Sequence, residues 1–269
     1  MKLIHRARWE NSIVTVATIC LTFFVVLNPR PWNIEYLLQM LSGLMICLAA
    51  GMLLRAALLP APLGATGSGK IVGAIIHVTF FNLGGFLCIA WLLKKESIGW
   101  AGGFGLNVRR LRSIGIGLGV ALVVTPLAMI MQGLLAGLLT PPNEQPNVQE
   151  VVKVLQQTVQ TDHLVFYGLV AIVLAPVMEE LLFRGVFYTT IKARGYPRLA
   201  LWGTSLLFAL VHSNLLTFLP LTMLAMVLVW LYERTGNLLA SIAAHSCFNS
   251  INFFMLVFRD DIHRVLQSN

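Results

Sequence analysis

The sequence predicts an all-α fold: a polytopic membrane helix bundle of about eight transmembrane helices. Three observations predict it. The 269 residues are 57% hydrophobic and 11% charged, where soluble domains carry about 25% charged residues. Apolar runs of roughly 20 residues, enough to cross a bilayer, recur along nearly the whole chain. The basic residues flank those runs, as in Lys94-Lys95 and Arg109-Arg110-x-Arg112, and such residues sit among lipid headgroups. The net charge of +8 thus points to a lipid-bilayer partner and not to nucleic acid. The expectation is an integral multi-pass protein, in the cell (inner) membrane if the chain is bacterial.

The runs lie near 10–28, 34–59, 71–93, 113–139, 163–191, 199–217, 219–232 and 238–258. The first follows Lys2, Arg6 and Arg8 and has no small-x-small cleavage site before Pro29-Arg30, so it reads as a retained signal anchor. The second ends near Arg55, whose long stem can snorkel to the headgroups. Before the third, Gly64 to Lys70 fits G-x-x-x-x-G-K, but Ile71 stands where a phosphate loop needs Ser or Thr. A flexible turn between helices is the plainer reading. His77, alone among apolar neighbours, reads as a satisfied core residue, and Trp91 and Trp100 read as interfacial anchors. Between the fourth and fifth runs, Val148, Val151, Val152, Leu155 and Val159 form an apolar stripe, which suggests an amphipathic surface helix over 148–160. The seventh run is short and opened by Pro220, so 199–232 reads as a tight helical hairpin around Ser213-Asn214. Cys20, Cys47, Cys88 and Cys247 all lie in apolar runs without C-x-x-C, as small hydrophobes do. With eight spans and a cytoplasmic N-terminus, more Lys and Arg would fall outside than inside, which leans towards the reverse orientation or an odd span count.

The fifth run holds Glu179, Glu180 and Arg184. A charge near the bilayer centre costs at least roughly 2.5–3.5 kcal/mol, so intramembrane acids mark function by default. An ion pair of Glu180 with Arg184, four positions apart, explains one glutamate as a brace. Glu179 is left over. Two further polar groups stand on other runs: His212 late in the sixth, and His245 with Asn249 on one face of the last. At ~1.5 Å rise per residue, Glu179 and His212 are each about 20 Å from the Lys192–Arg198 loop, and His245 is about 12 Å from Asn237. These depths are compatible with one cluster inside the bundle.

A carboxylate beside a neutral imidazole can activate a water, and a second imidazole with an amide N–H can stabilise an oxyanion. That combination suits peptide hydrolysis. The same Glu179, His212 and His245 could instead hold a Zn²⁺ with an open fourth position, although no H-E-x-x-H occurs. Glutamate and histidine chains also relay protons, so a proton- or ion-coupled transporter is a second reading; no inverted repeat supports it. A non-catalytic immunity or scaffold protein, using the cluster for helix association only, is a third.

Glu179-Glu180-x-x-x-Arg184, Phe208-x-x-x-His212 and His245-x-x-x-Asn249, in that order, resemble the three motifs of the CAAX-protease and bacteriocin-processing (CPBP, or Abi) family of intramembrane proteases. The stretch Leu231 to Leu239 resembles that family too. The resemblance covers about 110–258; residues 1–109 form N-terminal transmembrane helices without a recognised motif, and 259–269 a polar tail. It implies an intramembrane endopeptidase acting near the C-terminus of a membrane-associated protein, prenylated CAAX or not, or on a leader peptide. Carried over by position, it makes Glu179 and His212 the water-activating pair. His245 and Asn249 become the oxyanion donors, and Glu180 and Arg184 the support. No cofactor is expected on the glutamate-dependent reading; Zn²⁺ is the alternative.

Overall fold

The computed structural model describes residues 32–60, 67–141, 144 and 161–259. The anchor at 10–28, the amphipathic stretch at 148–160, residues 64–66 of the expected interhelix turn and the tail from 260 lie outside the described residues; Gly67 to Lys70, expected in that turn, instead open a helix. Within them are eight helices and no strand.

Helix α1 spans Ile34–Leu58 and is capped by Asn33, whose side chain accepts from the Glu35 backbone N–H. Helix α2 runs Gly67–Val78, loosens into a π turn at Thr79–Leu83 and resumes over Gly84–Lys95. The short α3, Trp100–Phe104, precedes the long α4, Arg110–Leu139. Helix α5 carries the acidic pair and is broken twice by π geometry: Thr161–Leu169, π over Val170–Leu174, Ala175–Glu180, π over Leu181–Tyr188, and Thr189–Ala193. Helices α6 (Pro197–Val211), α7 (Leu215–Thr235) and α8 (Leu238–Val257) complete the bundle, with Asn214 and Asn237 capping the last two. Six of these are long and apolar enough to cross a membrane.

The sixth and seventh runs are placed differently from the sequence expectation. Helix α6 ends at Val211, six residues early, and α7 begins at Leu215 with Pro220 inside it. The tight hairpin is present, closed by a turn through His212, Ser213 and Asn214. Ser213 takes a left-handed φ of 50° there, and Asn214 accepts from the Thr217 N–H to start α7. At 15 residues α6 covers ~22 Å, short of the ~30 Å hydrocarbon core.

Close backbone approach holds the bundle together, as expected where lipid removes the hydrophobic drive between helices. A Cβ on Gly117 of α4 would lie 2.2 Å from the Ala240 carbonyl oxygen of α8. A Cβ on Gly85 of α2 would lie 2.6 Å from the Met178 side chain, so α2 presses on α5 one residue before the acidic pair. His77 departs from the core expectation: it is exposed, with its ring stacked on Phe81 one turn on. Cys47, Cys88 and Cys247 are half-buried and free, and the Cys47 and Cys88 thiols meet across the α1–α2 contact.

Contacts between loops define one end of the bundle. The Asn33 N–H donates to Glu96, Arg194 donates to the Trp32 carbonyl, and Asn237 donates to the Val108 carbonyl. That end carries Lys94, Lys95, Arg109, Arg110, Arg112, Arg194, Arg198 and Arg234. The basic residues of these loops therefore form one face of the bundle, where Lys and Arg meet lipid headgroups.

Candidate active site

Glu180 has no solvent exposure and Arg184 1%. The guanidinium Nη1 donates to Glu180 Oε1 at 2.8 Å, and Nη2 donates to the Ala225 carbonyl of α7 at 3.3 Å. The i,i+4 pair anticipated from sequence is therefore present and reaches a second helix. Phe208 of α6 lies beneath it: the Arg184 Cζ is 4.6 Å from the ring centroid, and Phe183 packs edge-on at 5.2 Å. A buried charge needs this many partners, because each ion alone loses its hydration.

His245 on α8 joins the same carboxylate. Its Nδ1 is 2.9 Å from Glu180 Oε1, and its Nε2 is 3.8 Å from Glu179 Oε2. Glu179 keeps 19% of its side chain exposed, so the two neighbouring glutamates differ: one is sealed, the other open. The separation of 3.8 Å exceeds a direct hydrogen bond, so Nε2 lies beside Glu179 without being bonded to it. Glu180 Oε2 is buried with no hydrogen-bond partner among the described residues, so a single oxygen serves both Arg184 and His245.

His212 stands at the turn that ends α6. Its Nδ1 is 2.7 Å from the Phe208 carbonyl, which leaves Nε2 of the neutral ring as an acceptor. Both imidazoles pack on the Phe208 ring, His212 at 4.8 Å and His245 at 5.6 Å between centroids. Asn249, one turn beyond His245, is half-buried and donates to the Ala171 carbonyl at 2.7 Å. Ala171 lies in the first π turn of α5, where the ladder is disturbed and a carbonyl is available to an outside donor. The fold therefore brings Glu179, Glu180, Arg184 and His245 into direct succession. It sets His212 across one phenyl ring, and turns the Asn249 amide towards the α5 backbone.

The sequence reading missed two supports. Trp32, 2% exposed, donates its indole N–H to the Gly185 carbonyl in the second π segment and to Thr189 Oγ1 just after it, both at 3.1 Å. Glu233 is buried on α7 and accepts from Tyr188 Oη at 2.7 Å and Lys192 Nζ at 2.5 Å. The only sequence signal for that cluster was an acid in the family-like stretch from Leu231 to Leu239. Zinc would need Glu179, His212 and His245 to converge. Among the described residues no group of three His, Cys, Asp or Glu side chains is placed to hold a metal ion.

Polar groups from three helices, in the motif order found in the sequence, thus meet at depth in an apolar bundle. Residues 161–251 match the Rce1-like family model, type II CAAX prenyl endopeptidase. The match agrees with the resemblance to CPBP intramembrane proteases and covers about a third of the chain. The Rce1-like segment contains every residue of the cluster. The chain is similar to the UPF0177 protein YxdF of Lactococcus lactis, 34% identical over 83 residues, 30% of this chain and 44% of that protein. It is similar to the uncharacterized protein YpbD of Bacillus subtilis, 36% identical over 93 residues, 33% of this chain and 43% of that one. The chain thus spans less than half the length of these curated relatives. No solved structure matches it significantly.

Proposed function

We propose that the chain is an intramembrane endopeptidase that cleaves near the C-terminus of a membrane-associated protein. Prenylated CAAX tails are the substrate class to which the family description points, and the cell membrane is the site of action. The observation that carries this reading is the succession Arg184–Glu180–His245–Glu179, sealed at one end and open at the other.

Glu179 acts as general base. Its carboxylate takes a proton from a water as the water oxygen attacks the scissile carbonyl, and returns it to the departing amine. His212, with Nδ1–H held by the Phe208 carbonyl, offers Nε2 to the same water. His245, fixed at Nδ1 by Glu180, turns Nε2 to the space beside Glu179, where its charged form donates to the developing oxyanion. The second amide proton of Asn249, not used in the bond to Ala171, is assigned the same task. Arg184 balances the Glu180 charge so that Glu180 can hold the ring. No step uses a metal.

The test is cleavage of a prenylated C-terminal peptide by purified protein, wild type beside Glu179→Gln. The variant should keep its melting temperature and lose about 10²–10⁴-fold in turnover, the usual scale of a lost general base. A folded Glu179→Gln protein with wild-type turnover would overturn the assignment. Metal analysis of the same active protein is the companion measurement. Stoichiometric zinc that disappears in His245→Ala would move Glu179, His212 and His245 into a metal site.

A further inference from the structure

Away from the cluster, α4, α6 and α7 enclose a groove of about 680 Å³, within the range of small-molecule sites, about 300–1,000 Å³. Its walls are apolar: Gly119 and Val123 from α4, Leu201 from α6, Val227 and Trp230 from α7. Glu233 lines the groove at its basic end, and that carboxylate is already held by Lys192 and Tyr188. Gly119 faces open space, with nothing within 4 Å of a Cβ built on it.

The helical repeat carries each wall to the basic end of the bundle. Arg112 shares the stripe of Gly119 and Val123, Arg198 that of Leu201, and Arg234 that of Val227 and Trp230. Three helices thus each place an arginine above one apolar groove. From Arg112 to Val123 the groove measures about 16 Å along the helix. Arg112 and Arg198 are exposed, and among the described residues neither has an ion-pair partner.

We propose that this groove is a binding site for an anionic phospholipid of the bilayer, its phosphate on Arg112 and Arg198 and one acyl chain along α4 and α7. Guanidinium groups are suited to phosphate geometry. Basic pockets between transmembrane helices at the cytoplasmic end take anionic headgroups for the same reason. The site is independent of the catalytic reading, since no residue of the Glu179–His245 cluster lines the groove.

Native mass spectrometry of the purified full chain, titrated with phosphatidylglycerol or with phosphatidylcholine of the same acyl chains, tests it. Wild type should bind phosphatidylglycerol about tenfold or more tightly, as two arginines near one phosphate imply. The double variant Arg112→Gln, Arg198→Gln should bind both lipids alike, and its retained binding of phosphatidylcholine reports that the fold is intact. Gly119→Leu, which fills open space, should weaken both lipids about tenfold. Equal affinities in wild type, a preference that survives loss of both arginines, or undiminished binding by Gly119→Leu would each overturn the proposal. So would a Gly119→Leu protein that binds phospholipid normally but shows a raised KM for a prenylated peptide, since the groove would then hold the substrate's chain.

Discussion

Helices α1 and α7 are equally apolar by mean hydropathy, yet only 22% of the central window of α1 is buried within the protein, against 56% for α7. Helix α1 packs chiefly on α2 and shows Met45, Ile46, Met52 and Leu53 to lipid. Helix α7 sits among α4, α5, α6 and α8, and lends its Ala225 carbonyl to Arg184 and its Glu233 to Lys192. In a bilayer, apolarity brings a helix into lipid but does not choose its neighbours; small residues and polar bonds do. Position in the bundle therefore follows the few polar groups and not the many apolar ones.

Substitutions can break that contrast, and the largest stability effect is expected at Arg184. Arg184→Ala leaves Glu180 buried without its cation, and removing one partner of such a pair costs about 3–5 kcal/mol. Thermal unfolding in detergent should place it far below Glu179→Gln; equal melting temperatures would show that the pair does not set α7's place. Asn249→Ala comes next. If its amide serves the oxyanion, kcat falls about 10²–10³-fold with KM little changed. Lowered melting temperature with kcat intact would instead make it a clasp on the Ala171 carbonyl and nothing more. The smallest effect should come from α1: Ile46→Ala, on a side chain 68% exposed to lipid, should shift stability by less than about 0.5 kcal/mol. A loss comparable to that of Arg184→Ala would mean that α1 is packed against something.

Much of this was legible in the residues. Long apolar runs announce spans, so α1, α2, α4, α5 and α8 fall within a few residues of expectation. The Glu180–Arg184 pair follows from helical spacing alone. The turn at Ser213-Asn214 was legible, but the end of α6 was set six residues late, because Leu215 to Leu219 continues the apolar run beyond that turn. The π segments of α5 were hidden for a related reason: where nearly every position is apolar, a widened helix and a regular one leave the same pattern. His245 on Glu180 joins residues 65 apart, and only the register of α8 against α5 decides which glutamate it meets. Nothing in the sequence pairs Glu233 with Lys192, which stands 41 residues earlier at the same level on α5 and holds it inside. Trp32 lay in a short loop before a span, where an indole suggests an interface and not a donor to the α5 backbone.

The short α6 has a consequence for the membrane itself. Its outer side is apolar almost to the tip, with Leu206, Leu207, Leu210 and Val211 open to lipid. Its 15 residues nevertheless fall about 8 Å short of the far headgroups. The backbone at 212–214 is polar and cannot be left facing hydrocarbon. Local thinning of the far leaflet towards the turn is one way a bilayer accommodates such a short span, at a cost of only fractions of a kcal/mol per ångström. At the floor of such a dimple would stand His212, so a deformation that accommodates a short helix would also bring the water table down to the level of the polar cluster.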